Sequence, residues 1–352
     1  MQQIRLAVLG FGNVGRALAA LLVEKQDELG QRYDLAFSFS GGYTRSAGGW
    51  QAAAGMAPAA LLASGWPGGS AVSASPAHAP AGAEVFAGDA LAFAARCPAD
   101  ILVELTTLNP LTGEPATGHI RAALAAGRHA VTANKGPIAH AYRELSAVAA
   151  ERGVALRFES TVMDGTPLFG MAEAALPATT ITGLRGLLNS TSNYVLGRMA
   201  AEASLEEAVA RAQQLGVAEA DPSFDLDGWD AAVKATVLAN VLMGADIRPA
   251  DVRREGLGAA AMRQAHAGLL PGQTLKQVVE VERTGNDVVA RVRLAALPPG
   301  DLFAQLSGME AALLLHTDTM QDLTIVEGEG GPGQTAFGVL ADVIAIARAA
   351  RR

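Results

Sequence analysis

Hydrophobic residues follow two patterns along this chain, and the change falls near residue 160. Before it, short apolar runs alternate with longer Ala/Leu-rich stretches. Residues 4–9 (IRLAVL) form a buried-type run, and 99–105 (ADILVEL) is apolar on both faces, as in a strand covered by helices on both sides. Segments 33–40, 128–132 and 155–158 add further strands. Helices are predicted over 14–28, 115–126 and 137–152. Another is predicted near 50–63, within an Ala, Gly, Ser and Pro-rich stretch from 46 to 83. Its later part, 64–83, is low in complexity and predicts a surface loop. Strands alternating with helices predict an α/β fold with a doubly wound parallel sheet.

After residue 160 the strand-like segments are 181–189, 277–283, 288–294, 311–316 and 323–327. Turn signals such as Thr284-Gly285-Asn286-Asp287 separate them, so a mixed or antiparallel sheet is expected. Helices are expected near 204–215 and 228–244. A last Ala-rich helix, 335–351, would return to the first domain. The expected organisation is a discontinuous first domain, 1–160 plus 331–352, and a second α+β domain, 161–330. No internal repeat is visible.

Composition narrows the class. The chain has 352 residues, half of them hydrophobic and 18% charged, a balance that rules out a mostly disordered chain. Aromatics make up only 5% against 39 glycines, so the packing must rely on small residues. The net charge of −8 and the absence of a basic stripe disfavour a nucleic-acid partner. A single cysteine, Cys97, excludes an internal disulfide framework and a Cys-based zinc site, and fits a reducing cytoplasm. No apolar run reaches the roughly 18 residues of a membrane span, so no membrane partner is expected. Arg5 followed by the apolar 6–9 mimics a signal peptide, but the run is too short and leads into a Gly-rich turn.

That turn is Gly10-Phe11-Gly12-Asn13-Val14-Gly15, between the first strand and the first helix. In a Rossmann-type dinucleotide-binding domain the first glycine makes the tight turn and the second lets the backbone approach a pyrophosphate. The third lets the helix pack close to the strand, and the helix N-terminus attracts the anion. The alternative is a Gly-rich turn without a ligand. An NAD site would place an acid at the end of the second strand. Here Thr44, Arg45 and Ser46 follow that strand without a carboxylate, which favours a 2′-phosphate and NADP over NAD. Arg45 could also be an ordinary solvated residue.

Carbonyl reduction needs a proton donor. His119, His129, His140, His266 and His316 show no triad or metal spacing, and His78 lies in the low-complexity loop. Two lysines stand out. Lys135 follows Thr132-Ala133-Asn134 at the carboxyl edge of the expected sheet, where ligands bind in such folds. Lys234 shares a helix face with Asp230, its i−4 neighbour; a solvated surface pair is the alternative. Glu219, Asp221, Asp225, Asp227 and Asp230 crowd the segment before that helix. They could cap it or receive a cationic amino group beside a proton-transfer site.

Taken in order, Gly10-x-Gly12-x-Val14-Gly15, Thr132-Ala133-Asn134-Lys135, Glu159 to Pro167, Asn189-Ser190-Thr191-Ser192-Asn193-Tyr194, Glu219-Ala220-Asp221-Pro222 through Lys234, and Gly330-Gly331-Pro332-Gly333-Gln334-Thr335-Ala336 closely resemble the homoserine dehydrogenase family. The resemblance spans nearly the whole chain. It implies reversible hydride transfer between NAD(P)H and L-aspartate 4-semialdehyde, giving L-homoserine, on the way to threonine, methionine and isoleucine. It makes Lys234 the leading acid/base, with Lys135 assisting on the nicotinamide side. It places Glu219 on the substrate amino group, with Asp230 and then Asp225 as further substrate-binding acids. Cofactor contacts are implied for Thr106 and Gly331. It also implies a structural monovalent cation, such as sodium, on backbone oxygens of Glu159, Val162, Asp164 and Thr166, where the alternative is a tight strand–helix turn. A homodimer through the sheet of the second domain is expected.

The chain departs from the family where Met163-Asp164 replaces glycines, where Ser190 stands in the usual Asn-Gly-Thr-x-Asn, and in a shortened C-terminal glycine motif. It leaves no room for a regulatory ACT domain, so little threonine feedback through one is expected. Two other readings stay open. One is an NAD(P)-dependent oxidoreductase acting on another amino-acid aldehyde or a keto acid, and the other is a non-catalytic NAD(P)-binding regulator.

Overall fold

The computed structural model describes residues 1–67, 79–201, 203–258, 262–263 and 269–350. His78, His266 and most of the low-complexity stretch lie outside the described residues. The chain folds as two units, Met1–Pro167 with Gly331–Arg352, and Leu168–Gly330.

The first unit is built on a seven-stranded sheet. Its strands are β1 (Gln2–Leu9), β2 (Leu35–Thr44), β3 (Gly48–Met56), β4 (Glu84–Phe86), β5 (Ile101–Glu104), β6 (His129–Thr132) and β7 (Leu156–Arg157), in the order β4-β3-β2-β1-β5-β6-β7. Strands β2, β1, β5, β6 and β7 run parallel. Side chains of β1 alternate between two cores: Ile4, Leu6 and Val8 enter one, Ala7 and Leu9 the other. Helix α1 (Asn13–Glu24) covers the first face with Gly15, Leu18, Ala19 and Leu22, the i, i+3, i+4, i+7 stripe of a packed helix. The long C-terminal helix joins the same core through Ala336, Val339, Leu340, Val343 and Ile346. The opposite face receives α4 (Ala90–Arg96) and α5 (Ala116–Ala125) through Phe93, Ala94 and Ala123. The sheet is thus doubly wound.

Two local expectations are corrected. The helix over 14–28 breaks at Lys25 into α1 and α2 (Gln26–Tyr33). Within 50–63 only α3 (Pro58–Ala63) is helical, because residues 48–56 instead form β3, antiparallel to β2. Three alanines at 52–54 favour helix locally, but tertiary packing outweighs that preference. Trp50 and Trp66 are fully buried, ring centroids 5.8 Å apart, against Gly41 and Gly42 of β2. A β-carbon on Gly41 would lie 2.5 Å from Cys97 Sγ, and one on Gly42 would lie 2.7 Å from Trp50 Nε1. β2 therefore continues through these glycines to Thr44, past the expected end at Ser40.

The second unit carries a six-stranded sheet, β13-β12-β8-β10-β11-β9. These are β8 (Ile181–Leu187), β9 (Arg253–Arg254), β10 (Thr274–Thr284), β11 (Asp287–Leu297), β12 (Ala311–Thr317) and β13 (Gln321–Glu327). Only β9 runs parallel to its neighbour. The hairpin at Gly285-Asn286 forms where the turn signal stands. Its helices are α7 (Phe169–Ala175), α8 (Ser190–Ala200), α9 (Leu205–Gln214), α10 (Ser223–Leu226), α11 (Trp229–Leu242) and α12 (Leu302–Gln305). The remaining helices of the first unit are α6 (Lys135–Arg152) and the returning α13 (Pro332–Ala349). No helix among the described residues is long and apolar enough to cross a membrane.

The packing at Gly41 predicts that Gly41→Ala destabilises the fold by about 2 kcal/mol or more, since overpacking a closed core forces backbone shifts. Gly197, exposed on α8 with open space around its α-carbon, predicts the opposite sign. Gly197→Ala should stabilise by up to about 1 kcal/mol. Denaturant unfolding of both variants distinguishes the two, and equal effects would contradict the packing described.

Candidate active site

Each unit gathers its own set of candidate residues. In the first, the glycine loop follows β1. Gly10 has φ +86°, and a β-carbon there would lie 2.5 Å from the Leu105 carbonyl, so only glycine fits. A β-carbon on Gly12 would meet nothing within 4 Å. Gly12 is the N-cap of α1, which has no side-chain cap and no acid in its first turn. A β-carbon on Gly15 would sit 3.1 Å from the Gly10 carbonyl, the close helix–strand approach expected. Phe11 is buried against Phe39 and Trp66 and anchors the loop from below. Asn13 is exposed and Val14 half-buried.

The Gly10 N–H donates to the Tyr43 carbonyl at 2.9 Å, which sets the end of β2 beside the loop. Thr44 closes β2, and Arg45 and Ser46 follow in the β2–β3 turn, both exposed. No carboxylate stands among them.

At the end of β5 lies a carboxyl that sequence reasoning did not single out. Glu104 is completely buried. Its Oε1 accepts from the Thr106 N–H at 3.0 Å and from the Thr106 hydroxyl. Its Oε2 lies 3.1 Å from Thr132 Oγ1 at the end of β6. The Asn134 N–H donates to the same Thr132 oxygen at 2.9 Å. Asn134 caps α6, accepting from the Gly136 N–H at 3.0 Å, and its Nδ2 donates to the Thr106 carbonyl at 3.1 Å. Lys135, half-buried, is the first residue of α6. Burial pushes the Glu104 carboxyl up to about 7, against the opposing pull of hydrogen bonds from Thr106, Thr132 and Asn134. The one sequence signal was a lone acid in an otherwise apolar strand.

Loop 159–166 also belongs to this unit. The Glu159 N–H donates to Asp342 at 2.8 Å, and Ser160 Oγ donates to the Thr335 carbonyl at 2.8 Å. Asp164, at φ +33°, accepts from Thr335 Oγ1 at 2.9 Å. Val162 is buried, and the Thr166 N–H closes a turn on the Met163 carbonyl at 2.8 Å. Gly331 caps α13, and its carbonyl accepts from the N–H and hydroxyl of Thr335. The loop is therefore tied by hydrogen bonds to the returning helix.

In the second unit, β8 ends at Leu187 rather than 189, because Asn189 turns the chain into α8. Asn189 Oδ1 caps α8 by accepting from the Ser192 N–H at 2.7 Å. Its Nδ2 donates to Asp225 at 2.8 Å and to Asp230 at 2.9 Å. Asp230 and Lys234 lie one turn apart on α11, with Nζ to Oδ2 3.5 Å, and Lys234 Nζ donates to the Leu188 carbonyl at 2.6 Å. Side-chain exposures of 8% and 16% exclude the solvated surface pair. Most of α11 is buried, so this pair sits in the interior of the unit. Glu219 is exposed after α9, and its carbonyl accepts from Gln213 Nε2. Asp221 and Asp227 are exposed as well. A third lysine, Lys276, is buried and donates to Asn193 Oδ1 and the Leu306 carbonyl, both at 2.6 Å; burial lowers its pKa.

Among histidines, His316 pairs with Asp322 on the surface and His140 with the Pro110 carbonyl. His129 Nδ1 accepts from the Ala155 N–H, and His119 is buried in α5. The first three are accounted for by local contacts, whereas His119 Nδ1 is buried without a hydrogen-bond partner. No cluster of His, Cys, Asp and Glu able to hold a metal exists among the described residues.

Known proteins match both halves. The homoserine dehydrogenase family model matches residues 167–344, and the model of the homoserine dehydrogenase NAD-binding domain matches residues 10–159. An NAD(+)-dependent homoserine dehydrogenase from Pseudomonas canavaninivorans is 35% identical over 100% of this chain and 98% of its own. Homoserine dehydrogenase of Methanocaldococcus jannaschii is 34% identical over 70% of this chain and 73% of its own. The crystal structure of a Thiobacillus denitrificans homoserine dehydrogenase has a TM-score of 0.80 at 27% identity, covering 100% of this chain and 74% of that one. A hyperthermophilic archaeal homoserine dehydrogenase mutant in complex with NADPH has a TM-score of 0.80 at 26% identity, covering 99% and 98%.

The Glu104 environment yields a stability prediction. The unfolded chain ionises this group near its ordinary value of 4.5, whereas the folded chain keeps its proton to about 7. Stability from this group is present below pH 4.5 and lost as pH rises through 7. Glu104→Gln lacks that loss, so it should gain about 3 kcal/mol on the unmodified chain between pH 4.5 and 8. Denaturant midpoints across that range check it; a difference independent of pH would contradict the buried acid.

Proposed function

The chain belongs to the homoserine dehydrogenase family, and we propose how its residues share that family's reaction, the reversible reduction of L-aspartate 4-semialdehyde to L-homoserine with NAD(P)H. The observation that carries the assignment is the Asn189 amide, which holds Asp225 and Asp230 together beside the Lys234 ammonium.

The first unit fits a dinucleotide. A side chain at Gly12 would fill the open space before the α1 N-terminus that a pyrophosphate needs. Gly10 to Gly15 would carry that contact, with Thr106, Lys135 and Gly331 as the further cofactor contacts. The bound NAD(P)H supplies the hydride. Arg45 with Thr44 and Ser46 would hold a 2′-phosphate, the reading that favours NADP; the absence of a carboxylate among them supports it. The NAD(+)-dependent Pseudomonas relative supports NAD as the second reading.

Lys234 is the proposed acid/base. Hydride addition leaves negative charge on the former carbonyl oxygen, and a Lys234 N–H delivers the proton that makes the hydroxyl. In oxidation the neutral amine takes that proton back. An ammonium has three N–H groups. Leu188 and Asp230 orient two, which directs the third to the reacting oxygen. By the family resemblance, Lys135 is the proposed assisting lysine on the nicotinamide side. By the family resemblance, Asp230 and Asp225, both bound to the Asn189 amide, are the proposed acids for a substrate ammonium, with Glu219 as the third. Asp230 thus both orients the acid/base and binds substrate.

Two further readings rest on the family resemblance. Backbone oxygens of Glu159, Val162, Asp164 and Thr166, being neutral donors, suit a monovalent cation better than a divalent one. The assembly we propose is a homodimer through the second unit's sheet, where Val326 of the edge strand β13 is half-exposed. A rise in unfolding temperature in sodium over choline, and sedimentation as a dimer, are the expected results; no rise and a monomer would remove both.

Lys234→Ala is expected to lose about a hundredfold or more in kcat for homoserine oxidation while NADPH binding is unchanged. Retained turnover would remove its role. Arg45→Ala should lower kcat/KM with NADP about tenfold and leave NAD unaffected. Parallel assays with both cofactors decide this, and an equal response would mean that Arg45 does not read the 2′-phosphate.

A further inference from the structure

Among the described residues, Glu104 is the one completely buried acid at the cofactor-side edge of the first unit, and the chemistry above gives it no task. Its partners are the groups that shape that edge. One carboxyl oxygen takes both the N–H and the hydroxyl of Thr106, and the other meets Thr132 Oγ1. Thr132 Oγ1 also lies 3.1 Å from the Glu104 carbonyl and accepts from the Asn134 N–H. Thr132 has a single proton to give, and it faces two acceptors, Glu104 O and Oε2. A proton on Oε2 satisfies the second contact, so the neutral acid completes the network with every hydrogen placed. Asn134 then ties the Thr106 carbonyl to the first turn of α6, where Lys135 begins. Donation of the Thr106 hydroxyl to Glu104 leaves that oxygen's lone pairs, not its proton, to meet a ligand.

We infer that Glu104 is a positioning residue for cofactor binding: its carboxyl fixes Thr106 as a hydrogen-bond acceptor and, through Thr132 and Asn134, fixes the helix start that presents Lys135. The inference rests on the reading of Thr106 and Lys135 as cofactor contacts. Glutamine reproduces the neutral acid, with an acceptor toward Thr106 and a donor toward Thr132. Alanine removes both.

The test measures the NADPH dissociation constant by fluorescence, together with KM for homoserine and kcat, in Glu104→Gln, Glu104→Ala, Thr106→Ala and Lys135→Ala. Glu104→Ala should weaken NADPH binding about tenfold with KM for homoserine within about twofold, and Glu104→Gln should restore binding. Equal deterioration of both substrates in Glu104→Ala, or no restoration by glutamine, would overturn the inference. If Thr106→Ala and Lys135→Ala leave NADPH binding intact, the reading of the cofactor site fails and takes the inference with it. If those two weaken binding and Glu104→Ala does not, only the inference fails. Should Glu104→Ala not fold, Thr132→Val against Thr132→Ser reads the same node. Valine is expected to weaken NADPH binding and serine to keep it, and equal binding in the two would overturn the inference.

Discussion

An asparagine at a strand-to-helix corner organises the candidate site residues in each unit. Asn134 follows β6 and Asn189 follows β8. Each amide oxygen caps the next helix, α6 or α8, and each amide nitrogen reaches away from it. Asn134 holds the Thr106 carbonyl, and Asn189 holds Asp225 and Asp230. An N-cap fixes the side chain because it satisfies an otherwise orphaned helix N–H. The second half of the amide is then a rigid donor at a known place. Lys135 starts the capped helix in one unit, while in the other Lys234 is held to the residue just before the cap, through the Leu188 carbonyl. The candidate side chains are thus positioned from backbone corners.

Burial sets the electrostatics differently in the two places. In the second unit, two carboxylates share one amide, and one of them pairs with an ammonium, so opposite charges lie side by side in the interior. In the first unit, Glu104 faces N–H and hydroxyl groups, and desolvation dominates its protonation. Both arrangements keep polar groups satisfied in the interior, which costs far less than leaving them unpaired.

The first unit depends on a chain segment far away in sequence. Helix α13 returns to pack its apolar stripe on the α1 side of the sheet, and the loop after β7 grips its first turn. A β-carbon on Gly165 would come 2.1 Å from the Gln334 carbonyl, and one on Gly338 would come 2.2 Å from Ser160 Oγ. Hydrogen bonds from Glu159 and Ser160 to Asp342 and Thr335 complete that contact. The cofactor-side loop and the C-terminal segment are therefore one packed object, and this is why the unit is discontinuous.

Much of this was legible in the residue order. Periodicity located most strands, the Gly loop announced its strand–turn–helix corner, and the i−4 spacing paired Asp230 with Lys234, because such signals depend only on neighbours in the chain. Tertiary structure decided the rest. Whether Asp230 and Lys234 face water or the interior depends on the surroundings of α11, which no local pattern contains. An Ala-rich stretch became β3, with two tryptophans packed against Gly41 and Gly42, and those glycines are sterically required. Glu104 looked like an isolated acid in an apolar strand, since its partners arrive from the ends of neighbouring segments. Short-range pattern is enough to specify elements and local pairs. Burial, and with it the protonation and role of a polar group, belongs to contacts between residues that the sequence keeps far apart.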